Sequence, residues 1–245
     1  GNISKPLPQR HLLFFSLCLL ILPLCREPLA ALLSFAWRDD RYTHLPLIPF
    51  ISIVLAWFRR ARIFVSVAPH PWLGAGIAVL GTLVAVLAPG PFPAVDSRLS
   101  LAISGVALGW IGCFVGCYGV NALKLAAFPL SLLLLFIPLP ASAVEIVQVA
   151  LQRASADVTH ILFRLAGTPV LRQGLVFSLP GIDIEVAREC SGIRSTTALL
   201  ITSLILGHLF LRSGWRKASF VLLTIPIAIF KNAVRIATLS WLGVY

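Results

Sequence analysis

The stretch LSLAISGVALGWIGCFVGCYGV, residues 99–120, contains no charged side chain. A helix needs about 20 mostly apolar residues to cross the hydrocarbon core of a bilayer, and this run has that length. Similar runs recur along the chain, which is 58% hydrophobic and only 12% charged. A water-soluble domain of this length cannot bury so large an apolar fraction in one core. The sequence therefore predicts an integral membrane protein.

Seven apolar runs are predicted to span the membrane, so the expected fold class is an all-α polytopic membrane protein. The runs are His11–Cys25, Tyr42–Phe58, Trp72–Ala88, Leu99–Val120, Leu125–Val144, Ser195–Leu211 and one that opens at Ala218. The last run reaches Tyr245 without a polar tail, so we expect a truncated chain and eight or more spans in the full protein. One transmembrane domain, residues 1–245, is expected, with residues 140–190 as an insertion outside the cytoplasm.

The basic residues predict the orientation, because Lys and Arg are enriched in cytoplasmic loops. Clusters follow the second span (Arg59, Arg60, Arg62) and the sixth (Arg212, Arg216, Lys217), so the N-terminus is expected to be cytoplasmic. The nine acidic residues then fall on the outer side. The net charge of +11 does not indicate nucleic-acid binding, because the basic residues form short clusters between apolar runs, without a basic stripe or a binding motif.

Residues 141–165 are predicted to form an amphipathic helix in the outer insertion. Five polar residues, at alternating spacings of three and four, make one stripe: Glu145, Gln148, Gln152, Ser155 and Thr159. Such a helix can lie along the membrane surface or extend the fifth span outward. A small β-hairpin is expected next, with a type II turn at Pro180 and Gly181. Its second strand brings Cys190 and Ser191 to the first turn of the sixth span.

Cys190 is the candidate nucleophile. A free thiol with a pKa of about 8.5 is only a few per cent thiolate at neutral pH, and apolar burial lowers that fraction further. A helix N-terminus supplies partial positive charge and unpaired amide donors, and Arg194 lies one turn along on the same face. Both favour the thiolate. The alternative is that Cys190 is a small inert hydrophobe, as we expect for the other four cysteines.

Arg235 is the second candidate, because an ionised Arg inside a span costs about 2.5 to 3.5 kcal/mol on insertion scales. A rise of 1.5 Å per residue places Arg235 about 27 Å from the cytoplasmic end of the seventh span. The same rise places Cys190 about 33 Å along the sixth. The two residues are therefore expected near the outer face, with Asn232 at i, i+3 from Arg235. The alternatives are that Arg235 extends to a lipid phosphate and that Arg194 is structural. His44 and His160, also on the outer side, are candidate bases or ordinary packed residues.

These residues resemble the exosortase/archaeosortase transpeptidase family. The resemblance rests on EVARECSGIRS (185–195) and PIAIFKNAVRI (226–236), with weaker similarity in LRQGLVFSLPG (171–181) and DDRYTHLPLIPFIS (39–52). It implies a bacterial plasma-membrane enzyme that cleaves C-terminal sorting signals of the PEP-CTERM kind, which comprise a short motif, a transmembrane helix and a basic tail. Cys190 resembles the nucleophile and Arg235 the essential arginine of the family. The family's third catalytic residue has no match here, which implies that it lies beyond Tyr245.

The mechanism that follows is acyl transfer at the outer membrane face, with Arg235 binding the oxyanion or an acidic substrate residue. Arg194, Asn232, Ser191, His44 and His160 are candidate supporting residues. No cofactor or metal ion is expected, and the expected partners are sorting-signal proteins and the bilayer. Two alternatives remain open, an anion transporter or channel lined by the intramembrane cations and a noncatalytic membrane factor in polysaccharide export.

Overall fold

The computed structural model describes residues 7–65, 67–88, 90–179, 182–187 and 191–244. These residues are mostly helical, and the chain divides into two compact units, Gly1–Ala141 and Ser142–Tyr245. The first unit contains helices α1 (Leu7–Leu24), α2 (Arg26–Arg38), α3 (Leu47–Phe58), α4 (Arg60–Ile63), α5 (Pro71–Leu87), α6 (Ser97–Leu125) and α7 (Ala127–Ser131), followed by a 3₁₀ turn, Leu132–Phe136.

Helices α5 and α6 pack closely because glycines line their interface. A Cβ added to Gly74 would lie 2.2 Å from the Cα of Gly116, and one added to Gly112 would lie 2.3 Å from the nitrogen of Ala78. Small residues let two helix backbones approach in this way, and membrane helices associate largely through such packing. The glycines of the opening stretch therefore hold this pair together.

Helix α6 is interrupted at Gly119, which has φ 89° and ψ 174°. A Cβ at this position would lie 1.7 Å from the carbonyl oxygen of Ala68, so only glycine fits both the backbone angle and the contact. Beside the interruption, Nδ1 of His11 on α1 is 2.7 Å from the hydroxyl of Tyr118. The contact joins α1 to the buried aromatic cluster of this unit.

The second unit contains helix α8 (Ala141–Leu165, from its second residue), strands β1 (Leu171–Gln173), β2 (Val176–Leu179) and β3 (Ile182–Glu185), and helices α9 (Ile193–Phe210) and α10 (Gly214–Val244). The strands form one antiparallel sheet in the order β1-β2-β3. Phe177 and Val186 from the sheet region, Phe163 from α8 and Ile236 from α10 share one buried cluster. The sheet is therefore anchored on α8 and α10.

The predicted count of seven spans is not confirmed. Among the described residues, four helices are long and apolar enough to cross a membrane, α1, α6, α9 and α10. A fifth is counted if Ala127–Phe136 and α8 form one broken span. Helices α3 and α5 lie in predicted spans but have only 12 and 17 residues.

The predicted hairpin becomes three strands, because residues 171–179 divide at Gly174 into β1 and β2. Gly174 has φ 64°, a left-handed conformation that glycine adopts readily, and the chain turns there. The second strand of the expected hairpin corresponds to β3. The predicted turn at residues 180 and 181 lies outside the described residues.

Candidate functional site

Cys190 lies outside the described residues, which resume at Ser191. Ser191 is only 2% exposed, and its hydroxyl has no hydrogen-bond partner among the residues described. Gly192 has φ 69° and is the N-cap of α9, without a side chain to cap the helix. The segment after the cysteine therefore enters α9 through a left-handed glycine.

The second candidate motif lies on α10. Asn232 is 5% exposed and Ala233 is fully buried, whereas Lys231 and Arg235 are exposed. No described residue forms a hydrogen bond or ion pair with Arg235. One face of this helix segment is therefore packed into the unit, and the two cations are directed away from that face.

Asn232 brings the two motifs into contact. A Cβ added to Gly192 would lie 3.1 Å from both Cγ and Oδ1 of Asn232, so the asparagine side chain packs directly against this glycine. Asn232 also donates a hydrogen bond from Nδ2 to the hydroxyl of Ser155 on α8, at 3.1 Å. The side-chain amide of Asn232 on α10 thus contacts both the start of α9 and the middle of α8.

The polar stripe of α8 faces the interior of the second unit in its central part. Gln152, Ser155 and Thr159 are at most 4% exposed, whereas the apolar Ile146 and Ile161 on the same helix are 72% and 54% exposed. Polar residues that faced water at a membrane surface would be exposed instead of buried. Polar side chains of a membrane protein are more stable when they bond to each other inside the bundle, while apolar ones face lipid.

The buried stripe is hydrogen-bonded. The hydroxyl of Thr159 donates to the carbonyl of Ser155 at 2.7 Å and lies 3.4 Å from the carbonyl of Ala233 on α10. The Nε2 group of Gln152 donates to the carbonyl of Val186, which follows β3. The stripe therefore ties α8 both to the strand that precedes Cys190 and to the helix that carries Arg235.

The remaining predicted residues lie at three other places. Arg194 is on the exposed side of the first turn of α9 and has an interaction partner. His160, on α8, stacks over Phe177 with ring centroids 6.4 Å apart, and its buried Nδ1 has no hydrogen-bond partner in the described part of the chain. His44 lies in a turn of the first unit, where burial lowers the pKa of its imidazole and keeps the ring neutral at pH 7.

The structure thus brings together Asn232 and the Ser191-Gly192 segment, and it adds Ser155 and Thr159, which were not predicted as site residues. The sequence contained a signal for both residues, because they belong to the polar stripe. A polar stripe that is buried needs hydrogen-bonding groups on another part of the chain. Asn232, a polar residue within an apolar helix, provides such a group. The sequence left open whether this helix lies along the membrane surface or extends the fifth span outward, because a helical period shows which residues share a face, not what covers the face.

The model of the transmembrane exosortase family matches the chain over residues 36–245, which include every predicted site residue. The chain belongs to the transmembrane exosortase family. Searches of curated proteins and of solved structures found no match. The exosortase match covers both units, and with the apolar helices it identifies a multi-pass membrane protein.

Proposed function

We propose that this protein is a membrane-embedded cysteine transpeptidase that cleaves C-terminal sorting signals of exported proteins. Membership of the exosortase family supports this proposal for the class of enzyme. The observation that carries it for the site is the contact between Asn232 and Gly192, because it joins the cysteine motif to the arginine motif. Residues so far apart in sequence need such a contact if they are to act on one substrate.

The proposed first step is attack by the Cys190 thiolate on the scissile carbonyl carbon. A bond forms between sulfur and this carbon, and the carbon–nitrogen bond then breaks to leave a thioester. The departing amine takes up a proton. Water or an acceptor amine then attacks the thioester, and the thiolate is regenerated. The attacking water or amine releases one proton, which balances the proton taken up by the departing amine.

Arg235 is proposed to stabilise the oxyanion that develops in this step. A guanidinium is always charged and offers five N–H donors in a rigid fork, which suits an oxyanion or a substrate carboxylate. Because no described residue pairs with it, its charge remains available for a substrate. His160 in the second unit and His44 in the first are proposed as candidate bases.

The proposed location is the outer face of the bacterial plasma membrane, with the N-terminus in the cytoplasm. The positive-inside distribution of Arg and Lys supports this orientation. An accessibility assay tests it, in which a membrane-impermeant maleimide is added to intact cells and to lysed cells. Labelling of Cys190 in intact cells is expected, and labelling only after lysis would contradict the orientation.

The activity is tested by producing the full-length protein with a reporter that carries a C-terminal sorting signal. The wild type should shorten the reporter, and Cys190→Ala should abolish shortening, whereas Cys113→Ala, a buried thiol on α6, should not. Arg235→Lys should lower the rate about 10²- to 10³-fold, as for other oxyanion donors. Arg216→Lys, an exposed position near the other end of α10, is the matched control. Shortening by Cys190→Ala would overturn the proposal, and so would its absence in the wild type.

A further inference from the structure

Strand β3 has an open edge. The sheet order β1-β2-β3 leaves β3 with one neighbour, and the described part of the chain supplies no other strand to pair with it. The chain continues from β3 through Val186 and Ala187 toward the cysteine motif. An unpaired strand edge presents main-chain N–H and C=O groups to any extended segment that approaches.

The residues on this open edge are Asp183 and Glu185. The N–H of Val186 donates to the carbonyl of Leu175 at 2.9 Å, so Val186 directs its amide toward β2. Hydrogen-bonded and non-bonded positions alternate in an antiparallel pair. The register pairs Ile184 with Phe177 and Asp183 with Ser178. The main-chain groups of Ile184 therefore also face β2, whereas those of Asp183 and Glu185 point away from β2.

The side chains of these two residues define what can bind. Asp183 and Glu185 are both exposed on the same face of the sheet, opposite the partly buried Ile182 and Ile184. A second copy of the same edge would place carboxylates opposite carboxylates, which is unfavourable. An extended peptide without acidic residues on that face avoids this repulsion. The edge therefore favours a foreign peptide over a second copy of this chain.

We infer that the open edge of β3, at Asp183 and Glu185, binds an extended segment of the substrate as an added strand. This inference rests on the proposed function, because the segment is the part of the sorting signal that lies beside its cleavage site. Strand addition takes its affinity from main-chain hydrogen bonds and tolerates varied side chains. It would hold one substrate strand next to the segment that leads to Cys190.

Added strands bond to the edge only through alternate residues, whether they run parallel or antiparallel. The test is a binding assay with Cys190→Ala protein in proteoliposomes and a fluorescent peptide of the PEP-CTERM motif with about ten preceding residues. Single N-methyl groups are placed at successive non-proline positions of the peptide. Each group removes one donor, so Kd should rise about tenfold at every second position and change little between.

The matching change in the protein is proline. Asp183→Pro and Glu185→Pro each remove an edge N–H, and proline is tolerated on edge strands where its nitrogen faces away from the neighbour. Each should weaken peptide binding about tenfold relative to Asp183→Ala and Glu185→Ala. Alkylation of Cys190 by a small maleimide, measured in the same variants on the wild-type background, should stay unchanged and shows that the site is intact.

Three results would overturn the inference. The proline and alanine variants would bind the peptide equally well, N-methylation would have the same effect at every position, or the peptide would not bind at all. Failure of the proposed function gives a different result. In that case the wild type does not cleave the reporter, although the peptide still binds and N-methylation still raises its Kd at every second position.

Discussion

Asn232 and Ser155 are 77 positions apart in sequence and are joined by a hydrogen bond of 3.1 Å inside the second unit. The bond connects α10 to α8, and the same asparagine packs against Gly192 at the start of α9. The position of the segment after Cys190 therefore depends on a serine that lies outside both candidate motifs.

Ser155→Ala is expected to destabilise the second unit and to slow cleavage. The substitution removes the hydroxyl that accepts a hydrogen bond from Nδ2 of Asn232, and hydrogen bonds between membrane helices contribute about 0.6 to 1.7 kcal/mol. Unfolding in mixed micelles with increasing dodecyl sulfate measures the loss of stability. Reporter shortening measures the loss of activity.

Ser240→Ala is the matched control for that substitution. Ser240 is 1% exposed, but its hydroxyl donates to the carbonyl of Ile236 within its own helix. Its removal breaks a hydrogen bond within one helix rather than one between two helices, and should cost less. Equal losses in the two variants would contradict the role of the bond between Ser155 and Asn232.

Gly192→Ala is expected to impair the site for two separable reasons. Its φ of 69° costs a residue with a side chain about 1 to 2 kcal/mol, and the new Cβ would press on Asn232. Gly174→Ala has the same kind of backbone strain at φ 64°, with no atom within 4 Å of the added Cβ. The difference between their unfolding free energies measures the pressure on Asn232.

That difference should shrink when Asn232→Ala is added to Gly192→Ala, because the group under pressure has been removed. A double-mutant cycle on the unfolding free energy gives the coupling between the two positions. A coupling within about 0.3 kcal/mol of zero would show that the two residues are not in contact.

Gly112→Ala is expected to disrupt the packing of α5 on α6. The added Cβ would lie 2.3 Å from the backbone nitrogen of Ala78, which cannot move without shifting the helix. Overpacking of this kind costs about 1 to 3 kcal/mol. Gly76→Ala on α5 meets nothing within 4 Å and should stabilise the helix by about 0.5 to 1 kcal/mol. Thermal unfolding that moves both variants in the same direction would contradict the glycine interface.

The N-terminus of α6 should be sensitive to acid. The carboxylate of Asp96 accepts hydrogen bonds from the amides of Leu99 and Arg98, and the Leu99 amide, followed by the Arg98 side chain, lowers the pKa of this carboxyl below its ordinary 3.8. Because the folded pKa is the lower one, this contribution to stability is complete above the ordinary value. It is lost as pH falls through the folded pKa.

Asp96→Asn is the variant that checks this effect, because asparagine caps a helix but does not titrate. Unfolding free energies measured from pH 7 to pH 3 should fall more steeply for the wild type than for Asp96→Asn at the acid end. Parallel curves would contradict the assignment. Asp96→Ala should be about 1 kcal/mol less stable than the wild type at pH 7, since it removes the cap altogether, and this difference should shrink at the acid end.

The sequence predicted a helix correctly where an uninterrupted apolar run was long enough to cross the membrane. The runs at residues 99–120 and 195–211 correspond to α6 and α9, because an uncharged run of that length has few other stable conformations in lipid. The run at residues 125–144 is not one helix. Pro138 and Pro140 stand in a segment without helix, which a count of apolar residues does not detect.

The site was predictable in its sequence elements but not in its contacts. The cysteine and arginine motifs were identified from charge in an apolar setting, and one residue of each motif, Gly192 and Asn232, are in contact. Ser155 and Thr159 were recognised only as members of a stripe. Their partners come from a helix more than 70 positions away, and no local pattern encodes such a pairing. The placement of Cys190 beside Arg235 stays a prediction.

The interruption at Gly119 also determines how α6 matches the bilayer. A straight helix of 29 residues would be about 43 Å long and would exceed a hydrocarbon layer of about 30 Å. The segment before Gly119 is about 33 Å long at the same rise, close to the thickness of that layer. Lys124 then lies past the break, on a separate short piece of helix, where its charge can reach the lipid headgroups without tilting the span. The break at Gly119 thus limits the straight part of α6 to about the thickness of the hydrocarbon layer.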